Sequence, residues 1–222
     1  MMLEPFRVSD CALIVRMGGV RDAMNLRELR DRVTSCSGEV LYHHFCETLL
    51  RPSFDDPEFR NDLAIWASRD LHSRTLAERL GVLDPYDFDS LEALRTEILD
   101  IIDDELAEAH TIPWAKPGQE FHFMRAATVV FDTGNVIESP EALPEGIAAM
   151  TLSSVYYHFI DARRRTDTRV DDFTAWMSVD GALAEALCSA LREVDFYFLT
   201  LRELQADLVR VTAETISKER AQ

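Results

Sequence analysis

Apolar positions along the chain switch between two periods, and they do so twice. Two short β-rich runs, Ala12–Leu13–Ile14–Val15–Arg16 and Ala127–Thr128–Val129–Val130–Phe131, each precede turn residues, Gly18–Gly19 or Asp132–Thr133–Gly134–Asn135. A short apolar return follows at Val20 or at Val136–Ile137. This order predicts a β-hairpin or strand pair at the start of each half. Helical spacing then takes over, with Leu26, Leu29 and Val33 behind an Asn25 cap and Leu143, Ile147 and Met150 behind Ser139. Pro140 suits a first helical turn, whereas Pro144 lies deeper and should kink or shorten the second of these helices.

The same reading places helices over 39–50 and 153–165, and shorter ones beginning at Asp62 and Asp172. A third apolar segment holds Leu76, Leu80 and Val82, or Leu183, Leu187 and Leu191. A long last helix carries Leu91, Leu94, Ile98, Ile101 and Ile102, or Leu201, Leu204, Leu208 and Val211. The expected fold class is α+β, predominantly α-helical, with a strand pair and four to five helices in each half.

Leu41–Tyr42–His43–His44–Phe45 and then Asn61–Asp62–Leu63–Ala64–Ile65–Trp66 are answered by Val155–Tyr156–Tyr157–His158–Phe159 and Asp171–Asp172–Phe173–Thr174–Ala175–Trp176. The offset is about 114 residues early and about 110 later, the change falling in the loop before Asn61. The chain therefore reads as a tandem duplication. Copy one covers 3–106 and copy two 118–216, joined by a linker over 107–117 in which Pro113, Pro117 and the flanking Gly118 break regular structure. Packing of the copies about a pseudo-twofold axis into one compact unit is the expectation, because each would bury faces that it cannot bury alone.

Charge narrows the partners. With 40 acidic and 23 basic residues among 222, the net charge is -17, which opposes binding to nucleic acid and to anionic membrane surfaces. Hydrophobic residues at 47% supply a core, and no segment approaches the roughly 18 uncharged apolar residues of a membrane helix. Cys11, Cys36, Cys46 and Cys188 lack a CxxC pair and read as free thiols, which points to the cytoplasm.

An opening Phe-x-Phe/Val strand, Asn-Leu-Arg-Glu-Leu, Tyr-His-His-Phe, Asn-Asp-Leu-Ala-x-Trp-Ala and Asp-Pro-Tyr-Asp-Phe occur in this order. They are followed by Glu-Phe-His-Phe, Tyr-Tyr-His-Phe, Asp-Asp-Phe and Trp. Over nearly its whole length the chain resembles the prokaryotic domain-of-unknown-function family 5752. The resemblance implies no reaction, ligand or catalytic residue. Copy two lacks the proline of Asp84–Pro85–Tyr86–Asp87–Phe88, having Val194–Asp195–Phe196–Tyr197–Phe198 instead, so the two loops need not share a task.

Candidate chemistry gathers at the repeated residues. His44, Asp62, His158 and Asp172 are ligand types that would hold a divalent metal if the copies brought them together. The spacing does not require this, since no His-x3-His or Glu-x2-His pair is present and adjacent His43 and His44 point about 100° apart on a helix. Packing and hydrogen bonding are the simpler roles for the histidines, and N-capping is the simpler role for Asp62 and Asp172. Tyr42, His44, Trp66, Tyr156, His158 and Trp176 are the candidates for lining an aromatic cleft for a polar small molecule. Arg163, Arg164 and Arg165 form a basic cluster that would receive an anion unless Asp161, Asp167, Asp171 and Asp172 neutralise it.

Phosphate-loop, dinucleotide-turn, nucleophile-elbow and zinc-helix motifs are all missing from the sequence. The leading expectation is a non-catalytic ligand-binding or regulatory protein with no cofactor, acting on an unidentified protein or polar small molecule. One alternative is an enzyme or metalloprotein with a His/Asp site at the junction of the copies. Another is a structural homo-oligomer, signalled by an apolar patch on the C-terminal helix.

Overall fold

The apolar run that opens each half continues as one strand rather than turning back on itself. β1 (Phe6–Met17) and β2 (Met124–Ile137) pair with each other as one two-stranded antiparallel sheet. The expected hairpins are thus corrected, and the reason lies in how the turn residues are used. Gly18 ends the pairing by donating its N–H to the Phe123 carbonyl at 2.7 Å. Asp132–Asn135 stays within β2, where Asp132 Oδ1 accepts the Gly134 N–H at 2.8 Å, Thr133 Oγ1 accepts the Asn135 N–H, and Gly134 has a φ of 75°. These bonds are local to a strand that continues to Ile137, and they make no reversal there.

The computed structural model describes residues 3–50, 59–165, 168–177, 181–197 and 199–220. Most of the loop before Asn61, together with Asp167 and Phe198, lies outside them. The chain divides into two compact units, one of residues 13–127 and one of residues 1–12 with 128–222. The boundary between units falls inside both strands, after Ala12 and after Ala127.

In the 13–127 unit, α1 (Leu26–Ser35) begins where Asn25 Oδ1 accepts the Glu28 N–H, and it buries Leu26, Leu29 and Val33. α2 (Gly38–Phe45) ends at Cys46 and passes into a 3-10 turn, Glu47–Leu50. α3 (Asp62–Arg69) and α4 (Arg74–Gly81) pack together, and α5 (Leu91–Glu108) packs on α1, α2 and α4 through Leu94, Ile98, Ile101 and Ile102. Val82, expected on the buried stripe, is exposed just past α4. Phe121 and Phe123 complete this core, although they lie beyond the linker.

In the other unit a 3-10 turn, Pro140–Ala142, precedes α6 (Leu143–Ala149), which is shorter than α1, as Pro144 leads one to expect. α7 (Leu152–Val155) widens into a π-helical turn over Tyr156–Asp161 and resumes as α8 (Ala162–Arg165). α9 (Asp172–Trp176), α10 (Ala182–Arg192) and α11 (Leu201–Arg220) follow, with α11 packed on α6, α7 and α10. The buried stripe of α11 runs through Leu201, Leu204, Leu208, Thr212 and Ile216, shifting one residue past Val211. Among the described residues, no helix is long and apolar enough to cross a membrane, and the four cysteines are free thiols.

Candidate functional site

In the 13–127 unit, Asn61 rather than Asp62 caps α3, its Oδ1 accepting the Ala64 N–H at 2.9 Å. That places Asp62 in the first turn, where its carboxylate is favoured by the helix dipole and points away from the cap. Asp62 Oδ2 lies 2.6 Å from His44 Nδ1, while His44 Nε2 lies 2.9 Å from the backbone nitrogen of Met124. A backbone N–H can only donate, so Nε2 is the unprotonated acceptor, and Nδ1 carries the proton donated to Asp62. One turn along α3, Trp66 donates its indole N–H to the Gln119 carbonyl at 2.8 Å. The Phe121 ring sits 4.9 Å from His44 and 5.7 Å from Trp66 between centroids.

The second unit uses the same atoms on a different local backbone. Asp171 caps α9, accepting the Thr174 N–H and hydroxyl, each at 2.8 Å, which leaves Asp172 to face His158 Nδ1 at 2.7 Å. His158, held on the π-helical turn, accepts the Ser9 N–H through Nε2 at 2.9 Å. Trp176 donates to the Glu4 carbonyl at 2.7 Å, and Phe6 packs 4.8 Å from His158, 5.1 Å from Phe173 and 5.5 Å from Trp176. Each unit therefore forms a socket for an extended segment. Its Trp reads a carbonyl two residues before a Phe, and its His reads an N–H three residues after it.

The expectation that Asp62 and Asp172 are N-caps is corrected by one position in each case. Both residue types at each junction can cap a helix, and the histidine draws the second acid away from the task. Tyr42, His44, Trp66, Tyr156 and His158 are buried, and Trp176 is half-buried. They form socket walls and core. A cleft of about 500 Å³ in the second unit is lined instead by Glu4, Pro5, Arg7, Asp132, Gly134 and Val136.

Within each unit the His and Asp stand together, and hydrogen bonds engage both nitrogens of His44 and of His158. A metal at either ring would have to displace the Nδ1 proton donated to the carboxylate, or the segment's N–H. Among the described residues, no group of three or more His, Cys, Asp or Glu is arranged to hold an ion. His43 is fully buried beside His44, with Nδ1 2.7 Å from Glu47 Oε2.

The basic cluster is engaged by its own helix and neighbours. Arg163 lies over the Phe159 and Phe196 rings and 3.9 Å from Asp171, and Arg164 is 3.5 Å from Asp161. Arg165 donates to Asp161 at 2.8 Å, to the Tyr157 carbonyl at 2.8 Å and to Asp172 at 3.0 Å. Burial pushes the Asp171 carboxyl above its ordinary value against the opposing pull of Thr174 and Arg163. Burial likewise raises the Tyr157 phenol, with Arg165 opposing it.

The segments that fill the sockets were not singled out by sequence reasoning. Their signal is present in the period-two alternation of Glu4-x-Phe6-x-Val8 and Gln119-x-Phe121-x-Phe123, in which Phe6, Val8, Phe121 and Phe123 are all buried.

A family described as of unknown function, DUF5752, matches residues 3–213. The solved structure titled "The structure of OrfY from Thermoproteus tenax" aligns with a TM-score of 0.78 over 96% of this chain and 96% of that chain, at 24% identity. At that identity the likeness is one of fold. No curated protein matches.

Proposed function

Because the chain belongs to DUF5752, a family of unknown function, its sockets must carry the functional reading, and we propose that it is a non-catalytic binding protein that captures extended apolar segments. One observation carries this reading: in both units the His and Trp ring nitrogens are committed to the main chain of a segment supplied from far along the sequence. A general base needs a free nitrogen within reach of substrate, and here Nε2 already accepts a bond. Main-chain contacts with a Phe anchor are the chemistry of peptide recognition, in which the backbone supplies affinity and alternate side chains supply selectivity.

The two halves of the chain, 3–106 and 118–216, are proposed to be copies of one ancestral module. The recurrence of Trp, His and Asp in the same roles supports this, as does the period-two spacing of the captured residues. The free thiols fit a reducing cytoplasm.

Phe6→Asp in the full chain tests the reading by expelling the segment from its socket. A labelled peptide of residues 3–12 is expected to bind this variant at one site, and the wild type at least about tenfold more weakly, because there the tethered segment competes. Adding His158→Ala should abolish the binding. A folded Phe6→Asp protein that ignores the peptide would sink the proposal. If Phe6→Asp does not fold, Phe6→Ala serves in its place, with the same outcomes.

A further inference from the structure

We infer that the two sockets select segments by opposite charge: the His158 socket takes an extended segment with a carboxylate four residues after its Phe, and the His44 socket takes one with a base at that place. Thr151 and Glu39 are the specificity-determining residues. The inference deepens the socket reading above and rests on it. Each socket is complete within its own unit, the first in residues 1–12 with 128–222 and the second in residues 13–127.

A strand turns every second side chain to one face, so the anchoring Phe is followed on its own face by the residues two and four positions later. In the His158 socket these are Phe6, Val8 and Asp10, all buried. In the His44 socket they are Phe121, Phe123 and Arg125. The first two places are apolar in both segments and cannot tell them apart by charge. The third is an acid in one and a base in the other, and what receives it differs to match.

The receiver is the start of the helix that carries the histidine. Thr151, seven residues before His158, donates its hydroxyl to Asp10 Oδ2 at 2.9 Å. The same Oγ1 accepts the Ser154 N–H at 3.0 Å, which occupies a lone pair and leaves the proton for the acid. Asp10 Oδ1 accepts the Cys11 N–H at 2.7 Å, so both oxygens of this buried carboxylate are bonded. Ser154 Oγ donates to the Ser9 carbonyl at 2.6 Å while His158 takes the Ser9 N–H, which fixes the backbone just before Asp10. An Arg at position 10 would bring a buried charge to a place furnished with donors.

The His44 helix has an acid at this place. Glu39 stands five residues before His44, where the His158 helix has Ser153, and its Oε2 lies 2.8 Å from Arg125 Nη1. A carboxylate four residues after Phe121 would meet Glu39 as a like charge. The Arg125 and Glu39 side chains are 32% and 63% exposed, against 8% for the Asp10 residue, so this preference is the weaker of the two. Two segments of one apolar pattern in one chain need such a rule, and repulsion of the wrong segment supplies it as much as attraction of the right one.

The test uses the full chain with Phe6→Asp and two labelled peptides, residues 3–12 and the same peptide with Asp10→Arg, followed by fluorescence anisotropy. The native peptide is expected to bind at least about tenfold more tightly, as for a hydrogen bond to a charged group. Adding Thr151→Val should weaken the native peptide and leave its Asp10→Arg form unchanged. Adding Ser153→Glu instead, an acid where the His44 helix has Glu39, should remove the native peptide's advantage, a rescue of the Arg form that damage to the fold cannot produce. In the otherwise unaltered chain, Arg125→Asp should speed exchange of the Met124 amide about threefold, and Glu39→Arg added to it should restore the original rate. Equal affinity of the two peptides for the Phe6→Asp protein overturns the selectivity and leaves the socket standing; binding of neither removes the socket reading and the selectivity with it. If Phe6→Asp does not fold, exchange of the Ser9 amide in the full chain takes its place: Asp10→Arg should speed it and Ser153→Glu added to that variant should slow it again, and a rate that the second change leaves untouched overturns the inference.

Discussion

His158 accepts the backbone N–H of Ser9 at 2.9 Å across 149 residues of sequence. The bond is charge-neutral and buried, and its acceptor is aimed by Asp172 from the other side of the ring. An imidazole held at both nitrogens has one orientation and one tautomer, so it works as a fixed two-ended connector between a helix start and a distant strand.

Removing that connector should cost more than one hydrogen bond. His158→Ala leaves the Ser9 N–H without its acceptor, takes the imidazole from the Asp172 carboxylate while Arg165 stays, and opens a cavity beside Phe6. A loss of about 2–4 kcal/mol is expected from these combined effects. Urea unfolding measures it, and hydrogen exchange should show the Ser9 amide deprotected while the Met124 amide is unchanged. His44→Ala should give the reverse pattern, because its partner is Met124.

The two socket tryptophans, Trp66 and Trp176, should differ in the same direction as their burial. Trp66 is 4% exposed and Trp176 is half-buried, and each donates one N–H to a carbonyl. Trp66→Phe should cost about 1–2 kcal/mol, through lost packing and an unsatisfied acceptor, and Trp176→Phe less than about 1 kcal/mol, because water reaches the Glu4 carbonyl. Thermal unfolding of the two variants side by side checks the order, and equal losses would contradict it.

How much of this was legible in the sequence depended on range. α1 was readable because Asn25, Leu26, Leu29 and Val33 act on one another within three turns. The caps of α3 and α9 were missed by one residue because Asn61–Asp62 and Asp171–Asp172 are each pairs of good capping types, and a histidine 18 or 14 residues earlier decides between them. The strands failed for the same reason on a larger scale: Gly18 and Asp132–Asn135 are good turn chemistry, but their use is set by a partner strand in the other half of the chain. His44 and His158 were identified as notable positions without their partners, because Met124 and Ser9 contribute only backbone, which no side-chain pattern reveals.

Gly18 should prove intolerant of a side chain although its backbone is not left-handed. A Cβ there would lie 2.8 Å from the Phe123 carbonyl oxygen and 2.8 Å from a Val40 methyl. The carbonyl cannot retreat without breaking its bond from the Gly18 N–H and shifting Phe123 in the core. Gly18→Ala is expected to cost about 1–3 kcal/mol. Hydrogen exchange should locate the loosening at the Met124 amide, and a neutral substitution would show that the strand end adapts freely.

Asp171 should make the protein less stable as pH rises through the range where it ionises. Burial raises its folded value above the ordinary 3.8, so the folded state binds this proton more tightly than the unfolded one. Below 3.8 both states are protonated and the penalty is absent; it grows as pH passes through the folded value and is then constant. Asp171→Asn keeps a capping oxygen for the Thr174 N–H and removes the charge. The stability of the variant relative to wild type is therefore expected to increase between about pH 4 and about pH 7. Urea titrations across that range test it, and a flat or falling difference would reverse the assignment.

Since the Met124 and Ser9 N–H groups point at Nε2 of His44 and His158, both rings must be neutral with the proton on Nδ1, facing Asp62 and Asp172. Long-range nitrogen–proton correlation spectra should therefore show Nε2 as the bare nitrogen in both. One equivalent of zinc should leave both sets of signals in place, because Nε2 is spent on the segment; a shift of either ring would restore the metal reading for His44, Asp62, His158 and Asp172.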